Sequence, residues 1–227
     1  MNNYNLIILF YLYILNHKDV KMLPPNNSSY NSFCFYTYLL DKFKNKKHLE
    51  IKEIVIEKNN HIYKPPNNDS FIYEIVSGAV KLGSYSEQGE EYVYDVLQKG
   101  DFFGNLRYLN GQFFEFSKAL IDTKIRVYEL IPFKKTITND PHLSDWFISY
   151  LLKRWCNSEK KIGNIMSNKI EDRISYLIEL FNIDVHSANG EQFTLFELLT
   201  QKDLGDLSGA TRQTVATIIK KKSILSV

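Results

Sequence analysis

Leu199-Thr200-Gln201-Lys202-Asp203-Leu204-Gly205-Asp206-Leu207-Ser208-Gly209-Ala210-Thr211-Arg212-Gln213-Thr214-Val215-Ala216-Thr217-Ile218-Ile219-Lys220-Lys221-Lys222 reads as two short helices joined by a tight glycine turn. That is the build of a helix-turn-helix, and it points to double-stranded DNA. Thr200 is placed to cap the first helix, with Asp203 three residues on, where a carboxylate suits the helix dipole. Leu204 and Leu207 give that helix one apolar stripe, and Gly209 supplies a turn of positive φ. Thr211 is the cap of the second helix. Val215, Ile218 and Ile219 recur at three- and four-residue spacing and are expected to face the core. Arg212, Ala216 and Lys220 form another row, with Gln213 and Thr217 beside it. Arg pairs in two-point fashion with guanine O6 and N7, Gln pairs with adenine or sets orientation, and Ala216 and Thr217 offer apolar contacts to a thymine methyl. The candidate DNA-contacting residues are therefore Thr211, Arg212, Gln213, Ala216, Thr217, Lys220 and Lys221, with Lys222 continuing the phosphate-touching run. From Thr200 onward five Lys and Arg stand against two Asp, whereas the whole chain carries only +2. Phosphate binding needs such a local basic surface, not a basic protein. The same pattern also fits a surface helix hairpin with a solvated charge row.

At 227 residues, 44% hydrophobic and 24% charged, the chain has the composition of a soluble globular protein with room for two cores. Cys34 and Cys156 are far apart, no CxxC pair occurs, and five histidines are scattered. That pattern speaks against zinc and iron–sulfur sites, so no metal or cofactor is expected, and it fits a reducing, cytoplasmic setting. Leu6 to Leu15 is an unbroken apolar run. It is too short to span a bilayer, and as a signal-peptide core it lacks a preceding Lys or Arg and a following small-residue cleavage site. The expectation is an extension that packs on the body, or a start codon assigned upstream of Met22, and no membrane partner.

From Leu49 to Leu130 short alternating runs appear: Ile51–Ile56, Ile72–Val76 with Val80 and Leu82, Tyr92–Leu97 and Ile125–Leu130. Clusters such as Ser77-Gly78, Glu87-Gln88-Gly89 and Lys99-Gly100-Asp101 separate them, indicating an antiparallel sandwich or barrel. Before it, Phe33 to Phe43 has helical spacing. After it, Asn139-Asp140-Pro141 announces a helix running from His142 to about Met166. Leu143, Trp146, Phe147, Tyr150, Leu151, Trp155, Ile162 and Ile165 make its apolar stripe. A partner helix from a second copy is the natural cover for so long a stripe, with Leu143, Phe147, Tyr150, Leu151 and Ile162 as dimer contacts. Packing on its own barrel alone is the alternative. Lys169 to Phe181 reads as another amphipathic helix, and Asp184 to Glu191 as a polar loop.

Taken in this order, the chain resembles the Crp/Fnr family of bacterial transcription regulators. The resemblance rests on Ile72-Tyr73-Glu74-Ile75-Val76-Ser77-Gly78-Ala79-Val80-Lys81, Ser86-Glu87-Gln88-Gly89-Glu90-Glu91, Lys99-Gly100-Asp101-Phe102-Phe103-Gly104 and Ala210-Thr211-Arg212-Gln213-Thr214-Val215. It implies an α+β chain: an antiparallel, jelly-roll-like β-roll, a long dimerisation helix and a C-terminal winged helix-turn-helix. The segments become an uncertain apolar extension over 1–22, a cyclic-nucleotide-binding-like sensory roll over 23–138, the dimer helix over 139–168 and the DNA head over 169–227. The partners implied are duplex DNA, a second copy and, by resemblance alone, RNA polymerase.

In the family, a Phe-Gly-Glu-x-x-Leu stretch and a later Arg-Ser hold the ribose and cyclic phosphate. Here Asn105 follows Phe103-Gly104, with Leu106 next. A gap-free count to Glu129-Leu130 puts Glu115 at the Arg position and Phe116 at the Ser position. The effector pocket so implied comprises Phe103, Gly104, Asn105, Leu106, Glu115 and Phe116. A carboxylate at Glu115 repels a phosphate and leaves buried acceptors unpaired, so cyclic AMP is not expected to bind in the usual way. The alternative is that Lys118, three residues on, supplies the missing cation through a shifted loop, although an ammonium is a poorer two-point partner. After Lys222 the chain passes into Ser223-Ile224-Leu225-Ser226-Val227, where at most one wing strand fits. The leading expectation is a homodimeric DNA-binding regulator on a near-palindromic site. The alternative is a small-molecule-sensing roll whose terminal helices bind a protein partner. An enzyme on a cupin-like barrel would need a His/Glu metal cluster, and only His61 lies in the strand region.

Overall fold

A computed structural model describes residues 33–42, 51–66, 70–104 and 114–225. The apolar run Leu6–Leu15 and the pocket candidates Asn105 and Leu106 lie outside the described residues. The described residues from 40 onward form one compact unit.

Helix α1 (Phe35–Lys42) precedes eight strands: β1 (Lys52–Ile56), β2 (His61–Tyr63), β3 (Phe71–Ser77), β4 (Ala79–Tyr85), β5 (Glu91–Gln98), β6 (Phe102–Phe103), β7 (Glu115–Ala119) and β8 (Thr123–Glu129). They form two antiparallel four-stranded sheets, ordered β1-β8-β3-β6 and β2-β7-β4-β5. Side-chain alternation sends Tyr73, Ile75, Val80, Leu82, Leu97 and Ile125 between the sheets, where they close one apolar core with Tyr63 and Phe103. The turn from β3 to β4 needs glycine. Gly78 has φ +99°, and a Cβ there would lie 2.7 Å from the Thr123 backbone.

The structure adds an element that the alternation hides. Helix α2 (Leu130–Asn139) begins directly where β8 ends. Pro132 falls in its first turn, where no backbone N–H is needed. Helix α3 (Pro141–Ser167) follows, and the Asp140 side chain accepts hydrogen bonds from the amides of His142 and Leu143 at 3.0 and 3.4 Å.

Strands β5 and β6 are the edges of their two sheets, and α3 fastens both. The Tyr150 hydroxyl accepts from Phe102 N at 2.7 Å and donates to Phe102 O at 3.1 Å. Arg154 donates to Phe102 O and to Asp95 Oδ2, each at 2.8 Å, and Lys161 also reaches Asp95. Burial, followed by the negative charge of Asp101, pushes the Tyr150 phenol up to about 12, so it stays a donor. Burial pulls the Arg154 guanidinium down, yet Tyr150 and Asp95 outweigh it and hold its pKa above the ordinary value.

The long apolar stripe of α3 is therefore divided, a correction to its reading as a dimer face throughout. Leu143 is fully buried, Phe147 meets the Phe133 ring of α2 edge-on, and Tyr150 is bound to β6, because this half of the helix packs on its own chain. Leu151 and Ile162 are exposed, as are Ile148, Leu152, Trp155 and Met166.

Helix α4 (Ile170–Phe181) leads to a short hairpin of β9 (Asp184–His186) and β10 (Gln192–Thr194), where the sequence suggested a polar loop. A 3-10 turn (Leu195–Leu198) then enters α5 (Gln201–Ser208) and α6 (Arg212–Leu225). The outer face of the second sheet, with Ala79, Val93, Val96 and Phe116, shares one buried core with Ile174, Leu177, Leu204, Leu207 and Val215 of these helices. Among the described residues, no helix is long and apolar enough to cross a membrane.

Candidate nucleic-acid interface

The helix hairpin is held by local chemistry at each joint. Thr200 and Asp203 form a reciprocal capping box: Asp203 N donates to Thr200 Oγ1 at 3.1 Å, and Thr200 N donates to Asp203 Oδ2 at 3.0 Å. Gly209 ends α5 in the left-handed region at φ +65°. A Cβ on Gly205 would lie 2.7 Å from Ala210 O, so the close turn requires glycine there too. Thr211 Oγ1 accepts from Thr214 N at 3.2 Å and begins α6. Val215 and Ile218 are buried toward the other head helices, and Ile219 is half-buried beside them.

The opposite side of α6 is open. Thr211, Arg212, Gln213, Thr217, Lys220 and Lys221 are exposed, and Ala216 is half-buried among them. The Thr217 hydroxyl donates to Gln213 O at 2.9 Å, within its own helix. Lys222 differs from its neighbours: its ammonium donates to Ser175 Oγ of α4 at 2.7 Å and braces the hairpin. Arg173 on α4 does the same from the other end, donating to Ser208 O at 3.3 Å. Helix α6 continues through Leu225, so Ser223-Ile224-Leu225 extend the helix rather than begin a wing strand.

The head is seated on the roll by polar contacts as well as by the shared core. Lys81 on β4 pairs with Asp203 Oδ1 at 2.7 Å, and both side chains are largely buried. Val93 N on β5 donates to Asp206 Oδ2 at 3.0 Å, and Ala188 N donates to Asp122 O at 2.7 Å.

Inside the roll, Glu115 is buried and accepts hydrogen bonds from the phenols of Tyr63 and Tyr94, one on each oxygen. Its two acceptors are thus paired from within. Burial, reinforced by the neighbouring Glu115 charge, holds both phenols well above the ordinary tyrosine range, so both remain donors. The rings of Tyr63, Tyr73 and Phe103 stack beside them, 5.7 and 5.2 Å apart in succession. Gly104, at φ +89°, lies against Tyr73, and a Cβ there would be 2.5 Å from that ring.

Phe116 is not a pocket residue. It is fully buried on the opposite face of β7, 5.4 Å from the Tyr85 ring, in the core shared with the head. Successive strand residues face opposite ways, so Glu115 and Phe116 do not share a pocket. Lys118 shares the outer face with Phe116, opposite His61, and supplies no cation to the interior. Tyr63 and Tyr94, by contrast, meet Glu115 inside the roll, and the sequence reading missed both. Their strand-mates Ile62 and Val93 give no sign of a polar interior, and only the register places the phenols together.

Residues 53–139 match the cyclic nucleotide-binding domain family. The global nitrogen regulator of Synechococcus elongatus is 25% identical over 166 residues, covering 72% of this chain and 75% of that protein. The cAMP-activated global transcriptional regulator CRP of Pasteurella multocida is 24% identical over 172 residues, covering 70% of this chain and 81% of that protein. The fold is shared with FixK2 of Bradyrhizobium japonicum, at a TM-score of 0.64 and 16% identity over 78% of this chain and 86% of the other. The first of these relatives is named as a nitrogen regulator and the second as a transcriptional regulator. With its roll, its long helix and its capped helix hairpin, the chain is similar to the Crp/Fnr family of transcription regulators.

Proposed function

We propose that the chain is a homodimeric regulator that reads duplex DNA through α6 and is not controlled by cyclic AMP. The observation that carries this reading is the exposed row Arg212, Gln213, Thr217, Lys220 and Lys221 on a helix whose other face is fixed in a core. Arg212 reads a guanine and Gln213 an adjacent adenine or the helix orientation. The Thr217 hydroxyl is engaged by its own helix, which leaves its methyl for a thymine. Lys220 and Lys221 meet phosphates, and Thr211 caps the helix at the groove. Two such helices related by a two-fold axis would enter successive major grooves about 34 Å apart.

Independence from cyclic AMP is supported by the Glu115 carboxylate at the centre of the roll. A cyclic phosphate there meets negative charge, and the Arg154 guanidinium is already engaged by Asp95 and Phe102 O. The dimer is supported by the exposed apolar half of α3.

Selection of bound sequences from random duplex DNA, without added effector, tests the proposal. Enrichment of a two-fold symmetric motif is the expected result. The absence of any motif would leave the terminal helices as a protein-binding surface. A titration showing micromolar cyclic AMP affinity would overturn the ligand reading alone.

A further inference from the structure

Strand β5 gains one residue over β4. Leu82 pairs with Asp95 and Gly83 with Val93, so Tyr94 is the extra residue of a β-bulge. Three consecutive residues at this bulge reach three different parts of the molecule. Val93 N donates to Asp206 on the head helix α5. The Tyr94 phenol donates to Glu115 inside the roll. The Asp95 carboxylate takes Arg154 and Lys161 of α3.

We propose that Val93-Tyr94-Asp95 is a three-way joint through which the roll interior and α3 together set the position of the head. The proposal rests on reading α5 and α6 as the DNA head. A bulge interrupts the ladder of backbone hydrogen bonds, so it is the most deformable point of an otherwise paired strand. Movement of Tyr94, whose side chain is fixed at its far end by Glu115, shifts the adjoining Val93 and with it the amide that donates to Asp206. Lys202 strengthens the same contact, pairing with Asp206 at 2.9 Å and donating to Glu91 O two residues before Val93. Coupling between distant sites requires a physically connected element that both sites bias, and this tripeptide is such an element.

The test compares Tyr94→Phe with Tyr63→Phe in the free full-length chain. Each substitution removes one phenol from the same carboxylate, but Tyr63 lies on β2, away from the bulge. Amide hydrogen exchange is read at Val93, at Ala188 (the second head-to-roll contact) and at Leu130, whose bond to Ser70 O, just before β3 of the other sheet, reports general loosening. In Tyr94→Phe, exchange at Val93 and Ala188 is expected to rise relative to Leu130 by on the order of fivefold, the worth of one hydrogen bond. In Tyr63→Phe that ratio stays as in the parent chain. Equal ratios in the two variants, or no change in Tyr94→Phe, overturns the joint. Because the measurement needs no DNA, a shifted ratio in a chain that binds no duplex would uphold the joint and sink the DNA reading.

Discussion

Arg212 and His61 carry predictions that belong to single side chains. Arg212 is exposed at the first turn of α6, where in the proposed complex a guanidinium would reach a base edge and not only the backbone. Arg212→Ala should cost about 1–3 kcal/mol of DNA affinity and relax specificity at one base pair per half-site, measured by competition with single-base operator variants. A uniform loss on all duplexes would instead mark it as a phosphate contact. His61 sits half-buried across from Lys118. Burial, then the nearby charge of Lys118, holds its imidazole below the ordinary 6.5. The charged form is therefore disfavoured in the fold but free in the unfolded chain. Its contribution to stability is fully present above pH 6.5 and is lost as pH falls toward the lowered folded value. On acidification below pH 6.5, His61→Gln should lose less melting temperature than the parent chain. Parallel melting curves across that range would show that the imidazole is not perturbed.

At the level of elements, α3 shows what a periodic sequence does and does not say. The spacing of apolar residues marks a face to be covered, but not what covers it. Leu143, Phe147 and Tyr150 are satisfied by the chain's own roll, and the exposed remainder recurs at alternating steps of four and three: Ile148, Leu152, Trp155, Ile162 and Met166. That is the repeat of a coiled-coil seam, with Glu159 as its one polar step. In the proposed dimer Glu159 costs stability, so Glu159→Leu should tighten association by about a hundredfold, the worth of burying one leucine from each copy. Trp155→Lys should weaken it, and sedimentation equilibrium reads both. If neither variant shifts the monomer–dimer balance, this face is not the seam. The helix hairpin was legible because its signals are local: Thr200 and Asp203 as a cap, Gly209 as a turn, and Val215 and Ile218 at helical spacing. Strands β2 and β6 were not, since three and two residues carry no detectable alternation. Helix α2 was hidden because Leu130-Ile131-Pro132-Phe133 prolongs the apolar run of β8. Glu115 was found by its departure from a family pattern, whereas its partners Tyr63 and Tyr94 depend on register between strands far apart in sequence.

At the scale of the whole molecule, the roll keeps its own core between the sheets, but the buried cluster of the head is shared with the outer face of the second sheet. Phe116 belongs by sequence to β7 but packs in the cluster formed with Ile174, Leu177, Leu204, Leu207 and Val215. The same interface holds Lys81 against Asp203, an ion pair shielded from water on both sides. An apolar cluster shared this way transmits damage in either direction, because a cavity on one side removes contacts from the other. Phe116→Ala, at a fully buried position, should destabilise the chain by about 3–5 kcal/mol. The loss should appear in the amide protection of α4 and α5 as strongly as in β7, and thermal unfolding of the parent chain should be a single transition. Two resolved transitions, or a loss of protection confined to the roll, would show that the head is docked as an independent body. The distinction bears on regulation. A head that shares its core with the roll cannot swing away without exposing apolar surface, so in the proposed regulator any signal that moves it must supply a compensating contact, and a DNA-bound dimer would be the natural source of one.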